Sequence, residues 1–199
     1  HQVFDSKVRP GSKAQAAIVV MSPNGAVRAM LGGRNTSVAG GFNRATQALR
    51  QTGSAFKPFV YAAALEAGYS PYDIVQDSPL TLDLPGSGPW SPQNYSKEFL
   101  GPVSLNTALS QSLNIPTIRL SEEVGRDVVR NVASGFGVGE KLASGPALAL
   151  GVSEATLIDM VGAYAGILNR GISITPFGLN ELRLFGEDTA LMGATNSAG

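Results

Sequence analysis

The chain has 199 residues, 43% of them hydrophobic and 15% charged, with 15 Lys plus Arg balancing 15 Asp plus Glu. That composition can bury a core, excludes a polyelectrolyte-like disordered chain, and gives no electrostatic case for nucleic-acid binding. Cysteine is absent and the one histidine is His1. Thiol nucleophiles, disulfides and thiolate zinc sites are therefore excluded, and a Ser-His-Asp triad or a multi-histidine metal site lacks its histidines.

The first organised unit is Ala17-Ile18-Val19-Val20-Met21, a turn Ser22-Pro23-Asn24-Gly25, and Ala26-Val27-Arg28-Ala29-Met30-Leu31. Two apolar, β-branched runs flanking Asn-Gly predict a β-hairpin. Residues 34–52 read as irregular. From Ser54 the apolar positions Phe56, Val60 and Ala63 or Ala64 recur at helical spacing, and Gly68 stops the run. Residues 69–103 carry six prolines and read as one long excursion of turns, of the length that is usually functional when ordered. A short helix is predicted over Leu105–Leu113, a second over Glu122–Ala133 and a third over about Glu154–Leu168. Ile172–Ile174 and Leu182–Leu184 read as short strands, and Gly186–Gly199 as a frayed tail. This order predicts an α+β fold: an antiparallel sheet flanked by helices, with a helical subdomain after the first core helix. No run approaches the ~18 apolar residues of a membrane span. The start at His1, without an apolar leader, fits a processed or excised piece.

The chemistry concentrates in Gly53-Ser54-Ala55-Phe56-Lys57-Pro58. Ser54 and Lys57 are three apart, so a helix sets them on one face. Pro58 lacks an N–H and belongs in a first turn, which places the helix start close to Ser54. A residue before proline disfavours the helical region, so Lys57 is under tension there. A helix start stabilises negative charge on a bound carbonyl, while burial and the positive dipole end favour a neutral amine. A neutral Lys57 would take the proton of Ser54 Oγ, a dyad that needs no histidine. The bare spacing also describes an N-cap serine with a solvated lysine. Ser112-Leu113-Asn114 offers a hydroxyl to pass a proton and an amide to hold Lys57 and an acyl-amide substrate; it reads equally as a capped helix end. Asp73, Asp77 and Asp83 lack the spacing of a calcium loop and read as turn residues.

Taken together, these stretches resemble the transpeptidase domain of class A penicillin-binding proteins. The resemblance is carried by residues 25–33, Phe42-Asn43-Arg44-Ala45 with Arg50-Gln51, Gly53 to Phe59, Trp90-Ser91-Pro92-Gln93-Asn94-Tyr95, Ala108 to Pro116, and Leu148 through Arg170-Gly171. It implies the serine β-lactamase/transpeptidase fold, incomplete at the C-terminus, with residues 1–199 forming a single, partial transpeptidase domain. It also implies a D,D-transpeptidase in which Ser54 is acylated by a D-Ala-D-Ala stem peptide or a β-lactam. Lys57 would be the general base, Ser112 and Asn114 would complete the catalytic set, and an amine acceptor would receive the acyl group. Trp90, Asn94 and Tyr95 are implied to line the cleft and bind substrate, against the alternative that the aromatics are buried beneath their loop.

By the same resemblance, no cofactor is needed and the partners are peptidoglycan stem peptides and β-lactam antibiotics. The parent protein would be membrane-anchored with a glycosyltransferase domain, and the domain would work outside the cytoplasm. The family's third motif, Lys-Thr-Gly or Lys-Ser-Gly, occurs nowhere in the 199 residues, which reads as an internal piece of a longer protein. The alternatives are a D,D-carboxypeptidase or serine β-lactamase, and a non-catalytic scaffold of the same fold.

Overall fold

The computed structural model describes residues 7, 9, 11–34, 40–139, 141–186 and, as backbone, 190–193. In chain order the elements are β1 (Ile18–Met21), β2 (Val27–Leu31), β3 (Arg50–Gln51), a 3-10 turn (Gly53–Phe56) and α1 (Lys57–Glu66). Next come β4 (Ile74–Asp77), β5 (Leu82–Leu84), β6 (Gly88–Trp90), β7 (Gly101–Ser104), α2 (Leu105–Ser110), α3 (Asn114–Val124) and α4 (Arg126–Gly135). A second 3-10 turn (Pro146–Leu150), β8 (Glu154–Ala155), α5 (Leu157–Leu168), β9 (Glu181–Arg183) and β10 (Ala190–Gly193) complete the chain. Two compact units form: His1–Leu49 with Phe136–Val138 and Ala155–Gly199, and Arg50–Gly135 with Gly139–Glu154.

In the first unit the predicted hairpin is present. β1 and β2 pair antiparallel, with Val19 opposite Met30 and Val20 opposite Ala29. The turn closes by Gly25 N–H to the Ser22 carbonyl at 2.9 Å, and Gly25 takes φ +90°, a conformation side chains resist. Helix α5 packs on β1, and the Thr156 hydroxyl caps its start by accepting from the Asp159 N–H. The strand expected at Ile172–Ile174 is absent; pairing comes later, where Phe177 bridges to Ala26. The tail also differs from expectation. Ala190–Gly193 pairs with Glu181–Arg183, while 187–189 and 194–199 lie outside the described residues.

The second unit is built around α1. Phe56, Phe59, Val60, Ala63 and Ala64 are fully buried, as are Ile115 and Ile118 of α3 and Val129 of α4. The apolar face of α1 thus meets both α3 and α4. A buried polar tie joins α1 to α3, from the Tyr61 hydroxyl to Thr117 Oγ1 at 3.2 Å. The long excursion is not all turns. It holds two antiparallel pairs, β4 with β7 and β5 with β6. β4 and β7 pair across 24 to 30 residues and left no local signal to read, while β5–β6 is a short hairpin whose Pro85 and Pro89 read as turns. The helix predicted at Glu122–Ala133 is two helices, α3 and α4, broken at Gly125 with φ +100°. α3 begins earlier than expected because Pro116 sits in its first turn, where a missing N–H costs nothing.

Candidate active site

The chain enters the site through a braced turn. The N–H of Gly53 donates to the Gly151 carbonyl at 2.9 Å, and that of Thr52 to the Ser153 carbonyl at 3.2 Å. Thr52 Oγ1 also donates to the Gly151 carbonyl at 3.3 Å. Gly53 and Gly151 both take positive φ, +55° and +70°. A Cβ on Gly151 would lie 2.1 Å from the Gly53 oxygen, so only glycine allows this approach. Ser54 follows in the 3-10 turn and is exposed. Its Oγ and N–H make no hydrogen bond among the described residues. The Lys57 N–H closes the turn on the Ser54 carbonyl. Side chains three apart eclipse in a 3-10 turn, so Ser54 and Lys57 share a face.

Lys57 opens α1 and takes helical φ −52°, ψ −41° despite Pro58. Its side chain is 1% exposed. The Nζ lies 2.5 Å from the Ser112 carbonyl, 3.1 Å from Ser112 Oγ and 2.8 Å from Asn114 Oδ1. These contacts hold the residue in the conformation that proline disfavours. Burial lowers the amine to about 8, because the charged form loses its water. The amine donates to the Ser112 carbonyl, the Ser112 hydroxyl and Asn114 Oδ1; once neutral, it keeps two of these as a donor and can accept from the hydroxyl. Among the described residues no hydrogen bond joins the Ser54 hydroxyl to Lys57 Nζ. Such contacts commonly tighten only when substrate binds.

Ser112 owes its position to the way α2 ends. The Leu113 N–H reaches the Ala108 carbonyl and the Ser112 N–H the Leu109 carbonyl, both at 2.9 Å. This paired closure needs a left-handed residue at Ser112, usually glycine, and Ser112 has φ +54°. The capped helix end and the active-site reading therefore describe one arrangement. The strained residue turns both its carbonyl and its hydroxyl toward Lys57. Asn114 opens α3 two residues later, with its Nδ2 donating to the Gln93 carbonyl at 2.9 Å.

Of the residues read as lining the cleft, Asn94 lies behind the site. It is 4% exposed, and its amide is used up inside the protein. Its Oδ1 accepts from the N–H groups of Asn114 and Ile115, at 2.8 and 3.2 Å. Its Nδ2 donates to both Asp77 oxygens and to the Glu98 carbonyl. Tyr95 is fully exposed. Trp90 is half-buried on β6, opposite Leu82. Neither aromatic is drawn into the cluster around Lys57. Asp77 is no turn residue: it is buried in β4. Asp73 does serve a turn, accepting from the Ser70 N–H. Reading the sequence missed Asp77, Gln93 and Gly151. The signal for Asp77 was its place two residues after Val75, on the same inward face of a strand.

Proteins similar to this chain include several penicillin-binding proteins. A 2.6 Å crystal structure of penicillin-binding protein 1A from Haemophilus influenzae superposes with a TM-score of 0.82 at 37% identity, covering 91% of this chain and 27% of that one. The penicillin-binding protein PonA1 from Mycobacterium tuberculosis, solved in complex with penicillin V, gives 0.82 at 29% identity over 97% of this chain and 54% of that one. Penicillin-binding protein 1A of Rickettsia felis is 40% identical over 166 residues, 82% of this chain and 21% of that protein. The penicillin-binding protein transpeptidase domain model matches residues 16–184, and the chain belongs to that family. It spans about a fifth of the length of the curated relatives it matches.

Proposed function

We propose that the chain forms peptide cross-links in the bacterial cell wall, as a D,D-transpeptidase acting on peptidoglycan stem peptides. The observation that carries this reading is the buried Lys57 amine, lowered to about 8 and held by Ser112 and Asn114 on the face it shares with Ser54. At pH 7 roughly a tenth of such an amine is neutral, against far less than a hundredth of an ordinary lysine.

The steps follow from that geometry. Lys57 takes the proton from Ser54 Oγ as Oγ bonds to the carbonyl carbon of the penultimate D-Ala. The bond from that carbon to the terminal D-Ala nitrogen then breaks, and the leaving nitrogen takes up a proton through Lys57 or the Ser112 hydroxyl. The amine of a second stem peptide attacks the ester, a new amide forms and Ser54 Oγ regains its proton. The Ser54 N–H, at the positive end of the turn leading into α1, stabilises the charge developing on the carbonyl oxygen. A β-lactam presents a ring-strained amide in place of that peptide bond, and its reaction stops at the Ser54 ester. The reading places this work outside the cytoplasm, in a membrane-anchored protein that also has a glycosyltransferase domain, as the family resemblance implies.

A fluorescent penicillin tests this directly. The folded protein should take up one label, and mass spectrometry of the peptides should place it on Ser54. Ser54→Ala should take up none while keeping its melting temperature, because an exposed hydroxyl without partners adds little to stability. Label elsewhere, or none on the wild-type protein, would overturn the proposal. Rapid release of hydrolysed penicillin would mark a β-lactamase.

A further inference from the structure

We infer that Asp77 is a positioning residue for the Lys57 amine, acting through Asn94 and Asn114 and never touching the substrate. The inference rests on the transpeptidase reading above for its catalytic meaning, and on geometry alone for the coupling.

Each link leaves the next one orientation. Asn94 has two amide hydrogens and one carbonyl oxygen with two lone pairs. One side of that amide faces two N–H donors, of Asn114 and Ile115. The other faces only acceptors, the two oxygens of Asp77 and the Glu98 carbonyl. The amide therefore cannot flip without setting donors against donors. Asp77 enforces this. It is fully buried and also accepts from the Leu100 N–H at 2.9 Å, so both of its oxygens must be acceptors. No cation pairs with it among the described residues, and amide donors alone hold it.

The oriented Asn94 oxygen then does what a capping side chain does for a helix. The residue before α3, Leu113, has no polar side chain, and no side-chain cap is made there. Asn94 supplies the acceptor from another segment and covers the first two N–H groups of α3. The first of these belongs to Asn114, so its backbone is fixed by Asn94 and its Nδ2 by the neighbouring Gln93 carbonyl. Its Oδ1 is thereby aimed at Lys57 Nζ. A buried carboxylate in β4 is thus connected to the amine by hydrogen bonds alone, each with a single polarity. A burial role would be met by any apolar strand residue of similar size; this one requires two acceptors at one position.

The test uses Asp77→Asn, which keeps the shape and puts a donor where only acceptors fit. Two measurements are made: the rate of acylation by a labelled penicillin, and the titration of Lys57 in protein labelled with ¹³C at lysine Cε. The chain has five lysines, so the Lys57 signal can be assigned with Lys57→Arg. Loosening Asn114 admits water to the amine, so its midpoint should rise by about one unit or more. Acylation should fall at least about tenfold through misalignment. The exchange variant Asp77→Asn with Asn94→Asp restores a donor facing an acceptor at the 77–94 contact and at the start of α3, and sets one carboxylate oxygen against the Glu98 carbonyl. It should therefore recover only part of the loss, acylating at least about threefold faster than Asp77→Asn.

A folded Asp77→Asn protein with the Lys57 midpoint and the acylation rate both unchanged would overturn the inference. If Asp77→Asn does not fold, the exchange variant decides: it must fold and hold Lys57 below the ordinary lysine range, and failure of either overturns the inference. If the wild-type protein takes up no penicillin, the transpeptidase reading fails, while the Lys57 midpoint still reports whether Asp77 controls the amine.

Discussion

Replacing Lys57 with methionine is expected to slow acylation of Ser54 by about 10²- to 10⁴-fold, the range a positioned general base supplies. The wild-type rate should rise with pH through about 8, where the amine loses its proton, and the residual rate of Lys57→Met should lack that rise. Stability should move in a defined sense as well. The folded value lies below the ordinary 10.5, so between about 8 and 10.5 the unfolded chain holds more protons. Stability therefore rises with pH across that window and is lost as pH falls through about 8, by about 3 kcal/mol in all. Tyr61 acts in the opposite sense. Burial pushes its hydroxyl up to about 12, so stability held below its ordinary 10.0 is lost as pH rises from 10 to 12. Urea denaturation should show a maximum near pH 10 in the wild-type protein. Lys57→Met should keep only the fall above it. An unchanged acylation rate in Lys57→Met would remove lysine from the mechanism.

Gly151→Ala should damage the site from behind. The added methyl would lie 2.1 Å from the Gly53 oxygen and 2.6 Å from the Gly53 nitrogen, and backbone cannot swing aside as a flexible side chain can. Alanine is also strained at φ +70°. The expected loss is about 2–5 kcal/mol of stability. In the protein that remains folded, the turn carrying Ser54 must shift, and a displacement of order 1 Å costs about a hundredfold in acylation. Measuring both separates the effects: urea midpoints report the strain, and the labelling rate per folded molecule reports the displaced serine. A folded variant that labels at the wild-type rate would show that Gly151 does not set the position of Ser54.

The hairpin was legible because its signal is local: two apolar runs and an Asn-Gly turn lie within fifteen residues. The start of α1 was legible for a similar reason, since Gly53, Ser54 and Pro58 each restrict the backbone where they stand. The pair β4–β7 was not, because its partners lie 24 to 30 residues apart, and the short hairpin β5–β6 was not, because Pro85 and Pro89 read as turns. The division between α3 and α4 was missed because Pro116 and Gly125 have meanings that depend on position. In the first turn a proline is harmless, whereas a glycine with positive φ ends the helix.

The same division runs through the candidate site. The residue types and their spacing named Ser54, Lys57, Ser112 and Asn114, because each motif is short and carries its chemistry in its own side chains. Spacing set Ser54 and Lys57 on one face, and the fold adds how the amine is held there, by the Ser112 carbonyl and hydroxyl and by Asn114 Oδ1. Asn94 had been read as facing substrate, and the fold turns it inward onto Asp77. Order along the chain determined which groups are present and which share a helical face. Burial, left-handed backbone and partners brought from 17 to 99 residues away determined what each group touches. Those depend on long-range packing, which sets the solvation of an amine and the polarity of a buried amide and leaves no local trace in the sequence.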